Sequence, residues 1–132
     1  MVRIAALAIF LATPLPVLAQ SQDFGAISYS PVDDYVAVHI QHPSQKAAEK
    51  SARLECRANA ATAPDSCRPM IWFHNACGAF ADASNGAYGT AWGETPKVAN
   101  AKAIEVCESF GGEDCSPRIY GCAPSGESHI YR

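Results

Sequence analysis

The chain contains no Cys-x-x-Cys pair and no His-x-x-x-His pair, the tight spacings from which a zinc site usually draws two ligands at once. It has no Gly-x-Ser-x-Gly turn, so the strained elbow that presents a serine nucleophile is missing. Positive charge is scarce, with 10 Lys and Arg against 13 Asp and Glu, which argues against the basic face that a nucleic-acid partner demands. Beyond residue 19 no run is apolar and long enough to suggest a membrane span, which takes about 20 residues. None of these absences leaves a cofactor motif behind, and no cofactor is implied.

What is present begins with a secretory signal. Met1, Val2 and Arg3 precede an apolar stretch from Ile4 to Leu18, broken at Thr13, Pro14 and Pro16, that ends at Ala19. This is the order of a charged start, an apolar centre and a small-residue cleavage site, with cleavage expected after Ala19. No cysteine stands at that point, so a lipid anchor is not expected. Removing 19 of the 132 residues leaves 113, enough for one domain of modest core. The expected location is the periplasm or the medium. All six cysteines, Cys56, Cys67, Cys77, Cys107, Cys115 and Cys122, follow the cleavage point, and an even count in an exported chain reads as a disulfide set.

The segment from Phe24 to Cys77 can be laid over the segment from Cys77 to Cys122, as an internal repeat. Gly25-Ala26-Ile27 falls on Gly78-Ala79-Phe80 and Tyr35 on Tyr88. With gaps, Ser44 meets Thr95, Ala48 meets Ala99, Ala52 meets Ala103, Cys56 meets Cys107, Cys67 meets Cys115, and Cys77 meets Cys122. Each half predicts a hairpin, with Pro31-Val32-Asp33-Asp34 as one turn and Ser84-Asn85-Gly86 as the other. Asn-Gly tolerates the positive φ that tight hairpins need.

A helix follows in each half, over Gln45 to Arg57 and Pro96 to Phe110. Ser44 and Thr95 are placed to cap first-turn amides, Pro96 fits the first helical position, and Gly111-Gly112 fits a C-terminal stop. Alanines four apart mark the buried stripe, which continues to Cys56 in one helix and to Cys107 and Phe110 in the other. A third strand then runs from near Cys67 to Cys77 and from near Cys115 to Cys122. Met70-Ile71-Trp72-Phe73 reads as covered on both faces, and Arg118-Ile119-Tyr120 as half exposed. The expected fold is α+β, two ββαβ units in one mostly antiparallel sheet with both helices on one face. The domain is expected over 20–123, with 124–132 as a polar tail. Six cysteines allow fifteen pairings; the repeat favours Cys56–Cys67, Cys107–Cys115 and Cys77–Cys122.

Phe24-Gly25-Ala26-Ile27, Asp65-Ser66-Cys67, Trp72-Phe73-His74-Asn75-Ala76-Cys77-Gly78-Ala79, Asn85-Gly86-Ala87-Tyr88-Gly89 and Asp114-Cys115 carry a family likeness. In this combination the chain resembles the bacterial exported family catalogued as domain of unknown function 4189. The resemblance spans the segment after the signal. It implies architecture and export, and brings no reaction and no catalytic residues.

Candidate chemistry is sparse. His39 and His42, three apart on a strand, are expected on opposite faces, which opposes a shared ligand or base. His74 is expected on the same face as Trp72 and Met70. His129 lies in the polar tail, expected to be mobile. Asp33-Asp34 and Glu113-Asp114 read as turn residues. No cysteine is left over as a nucleophile.

The aromatics Tyr29, Tyr35, Trp72, Tyr88, Trp92 and Tyr120 fall mostly on expected strands, and a domain this small will leave some exposed. Exposed Trp and Tyr on a rigid sheet commonly anchor protein contacts. Tyr88, Trp92, Trp72 and His74 are therefore the candidate binding residues, with no metal site. The expectation is a non-enzymatic exported module that binds another protein, such as an inhibitor or immunity protein facing a toxin or hydrolase. The alternatives are a small envelope hydrolase using His74 or His39 with a carboxylate, or a structural envelope component.

Overall fold

A computed structural model describes residues 9–16 and 20–131. Most of the expected signal segment and its cleavage point lie outside the described residues, and 9–16 form neither helix nor strand. The elements are β1 (Phe24–Ser30), β2 (Tyr35–His42), α1 (Gln45–Asn59), a 3-10 turn (Pro64–Ser66), β3 (Arg68–His74), β4 (Ala76–Asp82), β5 (Tyr88–Gly93), α2 (Pro96–Ser109), β6 (Ser116–Ala123) and β7 (Ser128–Ile130). The class is α+β. No described helix is long and apolar enough to cross a membrane.

Two sheets form, in the orders β2-β1-β3 and β5-β4-β6-β7, with every pairing antiparallel. The expectation of a single sheet is therefore corrected. Asn75, in the left-handed region at φ 48°, turns the chain between β3 and β4 into a second layer. The large side chains of the two inner faces, Ile27, Tyr29 and Phe73 against Phe80, then pack on each other.

The helices do not share a face either. Alternation along β1 sends Ala26 toward Ala48 and Ala52 of α1, while alternation along β4 sends Cys77, Ala79 and Ala81 toward Ala99, Ala103 and Cys107 of α2. Each helix covers the outer side of its own sheet, giving four layers, helix, sheet, sheet, helix. Both helices begin at the expected caps, since Ser44 Oγ accepts from the Ala47 amide and Thr95 Oγ1 from the Val98 amide.

Small residues set the spacing of these layers. The Phe73 ring lies between Gly25 on the neighbouring strand and Gly78 on the facing sheet. A Cβ on either glycine would come within 2.3 Å of ring carbons, a distance that only hydrogen at Cα allows. On the outer side a Cβ at Gly89 would meet the Cys107 amide nitrogen at 2.3 Å, so α2 rests directly on β5.

Both halves run strand, strand, helix, strand, with the first strand central. When Gly25 is laid on Gly78, the pairing of β1 with β3 matches that of β4 with β6 position by position. Even the β-bulge recurs, skipping Met70 in one half and Arg118 in the other. Two equivalences drawn from the sequence need correction. Cys122 falls on His74 and Cys77 on Phe24, so the Cys77–Cys122 bridge lies within the second sheet. In the first half the same two positions hold the stacked Phe24 and His74 rings, 4.4 Å between centroids.

Tyr35 and Tyr88 are not equivalent. The first hairpin loop is one residue longer than the second, so Tyr88 corresponds to Val36. A slip of one residue reverses the face. Tyr35 accordingly lies on the α1 side, donating to Glu55 of that helix, whereas Tyr88 packs between the sheets.

The bridges are Cys56–Cys67, Cys77–Cys122 and Cys107–Cys115, the pairs expected from the repeat. The first and last tie each helix end to the start of the third strand in its own half.

The segment read as a polar tail is also corrected. Ser128, His129 and Ile130 form β7 by pairing with Gly121, Tyr120 and Ile119. The Cys122 amide donates to the Glu127 carbonyl at 2.8 Å, and the Tyr120 hydroxyl donates to Glu127 Oε1 at 2.9 Å. β6 is thereby an interior strand; Arg118 and Ile119 are half-exposed as expected, whereas Tyr120 is buried. β3, expected to be covered on both faces, is an edge strand. Pro69 fits that place, having no amide to give a further neighbour.

Candidate functional site

The two edge strands β3 and β5 lie on the same side of the sandwich, each hydrogen-bonded on one side only among the described residues. Trp72 pairs with Ala26 and so stands on the outer face of β3, while Trp92 pairs with Gly78 and points inward from β5. Between them a groove of about 540 Å³ wraps round the β3 edge, lined by Met70, Ile71, Trp72, Phe73, His74 and Trp92. Trp72 is 44% exposed and Trp92 54%, well above what a core would leave open. Lys102 Nζ sits 5.6 Å from the Trp92 ring centroid. Three of the four expected binding residues therefore converge.

His74 stacks on Phe24 and lies 3.8 Å from Asp23 Oδ2. Met70 departs from the expected alternation, because the bulge at its position turns it toward the inter-sheet core. Tyr88 is half-buried, its ring 4.7 Å from Tyr29 and 5.8 Å from Phe80. It still borders a second groove of about 340 Å³ with Met70, Ala87 and Phe110. Phe110, expected on the buried stripe of α2, is the C-cap and 74% exposed. Helical spacing had extended one residue past the last turn. An apolar strip thus follows the β3–β5 side from Trp92 to Phe110.

A second cluster lies across β2 and α1. His39 and His42 meet on one face, with His39 Nδ1 3.4 Å from His42 Nε2. The expectation of opposite faces fails because β2 carries a bulge between its pairings with Phe24 and Ala26, and Gln41 takes φ 61° there. The extra residue restores His42 to the side of His39. His39 Nε2 contacts Glu55 Oε2, and Glu55 Oε1 accepts from the Tyr35 hydroxyl at 3.0 Å. Burial, then the bond to Glu55, raises the Tyr35 hydroxyl above its ordinary pKa. His42 is lowered, by burial first and the His39 charge second.

The paired carboxylates do structural work. Asp33 accepts from the Thr62 and Ala63 amides at 2.8 and 2.9 Å, and these bonds hold its carboxyl below the ordinary range. Asp34 Oδ1 accepts from Arg118 at 2.7 Å and from Tyr29 at 3.0 Å, while Arg118 also reaches Asp82 at 2.9 Å. Arg118 thus joins the first hairpin turn to the second sheet. Burial and the Asp34 bond push the Tyr29 hydroxyl well up. Asp114 adopts φ 55° just before Cys115, in keeping with a turn. His129, expected to be mobile, lies on β7 with its ring 4.6 Å from that of Tyr131.

Among the described residues no group of three His, Cys, Asp or Glu side chains converges as a metal set, and every cysteine is bridged. The arrangement is that of a small disulfide-braced α+β sandwich with one open aromatic edge. The chain belongs to the family described as Domain of unknown function (DUF4189), whose profile matches residues 24–122. It matches no curated protein and no solved structure. Three disulfides suit an oxidising, non-cytoplasmic compartment.

Proposed function

We propose that the protein is an exported, non-enzymatic binding module that engages another protein along the β3–β5 side. One observation carries this reading: Trp72 and Trp92 are exposed together in one groove beside an unpaired strand edge. Tryptophan is enriched among the residues that dominate binding energy at interfaces. An open edge offers backbone groups to an extended segment, with pockets beside it for alternate side chains. An inhibitor or immunity protein acting on a toxin or hydrolase in the periplasm or medium, after cleavage at Ala19, is the concrete form.

The hydrolase alternative gains one supporting contact, His39 with Glu55. Both partners are, however, engaged with Tyr35 and His42, and no cysteine is free to serve as a nucleophile beside them. The binding reading is therefore preferred. Affinity capture from envelope extract with the oxidised protein should recover a stoichiometric partner. W72A combined with W92A should weaken that capture at least tenfold, given about 2 kcal/mol for a dominant aromatic. Failure to capture a partner, or capture indifferent to both tryptophans, would remove the basis of the proposal.

A further inference from the structure

The duplicated architecture provides an internal comparison for the histidine cluster. With Gly25 laid on Gly78, the pairing registers place His39 on Ala91 and His42 on Gly93. Tyr35 falls on Ala87, which closes its hairpin onto Ala83 as Tyr35 pairs with Ser30. Alignment of the helices on Cys56 and Cys107 puts Glu55 on Val106. The second half builds the same strand, helix and helix-end disulfide with Ala, Ala, Gly and Val at these four places. The fold has no requirement for the polar set. The β2 bulge at Gln41 is also confined to the first half, since β1 and β2 pair with a register shift and β4 and β5 without one.

The bulge brings two imidazole nitrogens, His39 Nδ1 and His42 Nε2, to 3.4 Å. Two ligands at the usual zinc–nitrogen distance in tetrahedral geometry stand about 3.3 Å apart. The far nitrogen of His39 faces a carboxylate, Glu55. Metal-binding histidines regularly donate their other N–H to such a partner, which fixes the tautomer and leaves the second lone pair free. Glu55 is in turn held by the Tyr35 hydroxyl. The His39 side chain is 30% exposed and His42 is half-buried, so both members of the pair border solvent.

We infer that His39 Nδ1 and His42 Nε2 bind a late first-row divalent cation such as Zn²⁺, with Glu55 positioning His39. Imidazole nitrogen suits these ions over Mg²⁺ or Ca²⁺. No third protein side chain among the described residues completes the set, so the remaining positions belong to water or to a group brought by a partner.

The test is titration of the untagged, oxidised protein with Zn²⁺ alone, read by calorimetry and by nitrogen NMR of the imidazoles. The expected result is one-to-one uptake that shifts His39 Nδ1 and His42 Nε2 and leaves His74 and His129 unmoved. H39A and H42A should each weaken uptake at least tenfold; alanine already stands at the place equivalent to His39 in the second half, so H39A keeps the fold. E55Q should weaken it about 10- to 100-fold, as for other partners of metal-bound histidines. H74A should change nothing. Absence of saturable uptake by about 1 mM Zn²⁺, weaker than any specific site of this kind, overturns the inference. Shifts confined to His74 or His129 overturn it equally.

Discussion

Asp33 and Arg118 show what single side chains contribute. Asp33 gathers two amides of the loop that leads from α1 into the 3-10 turn, and its carboxyl is held below its ordinary 3.8. A lowered pKa in the folded state adds stability that is complete above the unfolded value and disappears as pH falls through the folded one. Acid should therefore weaken the protein below about pH 4, and D33N should flatten that part of the stability–pH curve in thermal melts between pH 2 and 5. Arg118 links Asp34 to Asp82 from a half-buried place. R118A should lower stability by about 1–2 kcal/mol, because charge-assisted hydrogen bonds are lost while exposed Asp34 and half-buried Asp82 turn to water. Urea unfolding of the variant checks this.

At the scale of elements, the inner faces and the bridges bear the load. Phe73 fills the space left by Gly25 and Gly78, and F73A should cost about 3–5 kcal/mol, the usual range for a buried phenylalanine. Denaturant midpoints measure it. Cys77–Cys122 closes a loop of 45 residues against 8 for Cys107–Cys115. Loop entropy then predicts losses of about 4 and about 2.5 kcal/mol when each is replaced by a pair of alanines. The same ordering in calorimetric melts supports the bridges as separate contributors.

Much at this scale was readable from the chain. Ser44 and Thr95 announced both helices because a cap's chemistry is local, and alanines four apart announced their buried faces. The layer order was not readable, because alternation along a strand shows two faces and does not say what covers each. The bulge at Gln41 was hidden for a similar reason: a non-glycine residue at positive φ leaves no mark in composition, and without it His39 and His42 seem to part. β7 was missed because Ser128-His129-Ile130 is short and follows Pro124-Ser125-Gly126, which reads as a chain end.

The described residues form two like halves packed sheet to sheet, and two places on their surface stand out. One is the β2–α1 side, where the first half carries titratable groups and the second carries alanine, glycine and valine. The other is the β3–β5 side, where unpaired edges meet exposed aromatics. Trp72 and Trp92 were legible as candidates from residue type alone. Their convergence depends on both belonging to edge strands on the same side, which only the sheet order reveals. The edge pair β2 and β7 on the opposite side lines a groove of about 450 Å³ with Val38, Ile40, Ile119, His129 and Ile130 and has no tryptophan.

That contrast allows the central claim to be tested within one molecule, by amide hydrogen exchange of the protein alone and in complex with its captured partner. Slowed exchange concentrated in Arg68–His74 and Tyr88–Gly93 is the predicted result. Slowing confined to Tyr35–His42 and Ser128–Ile130, or no slowing along either edge, contradicts the account.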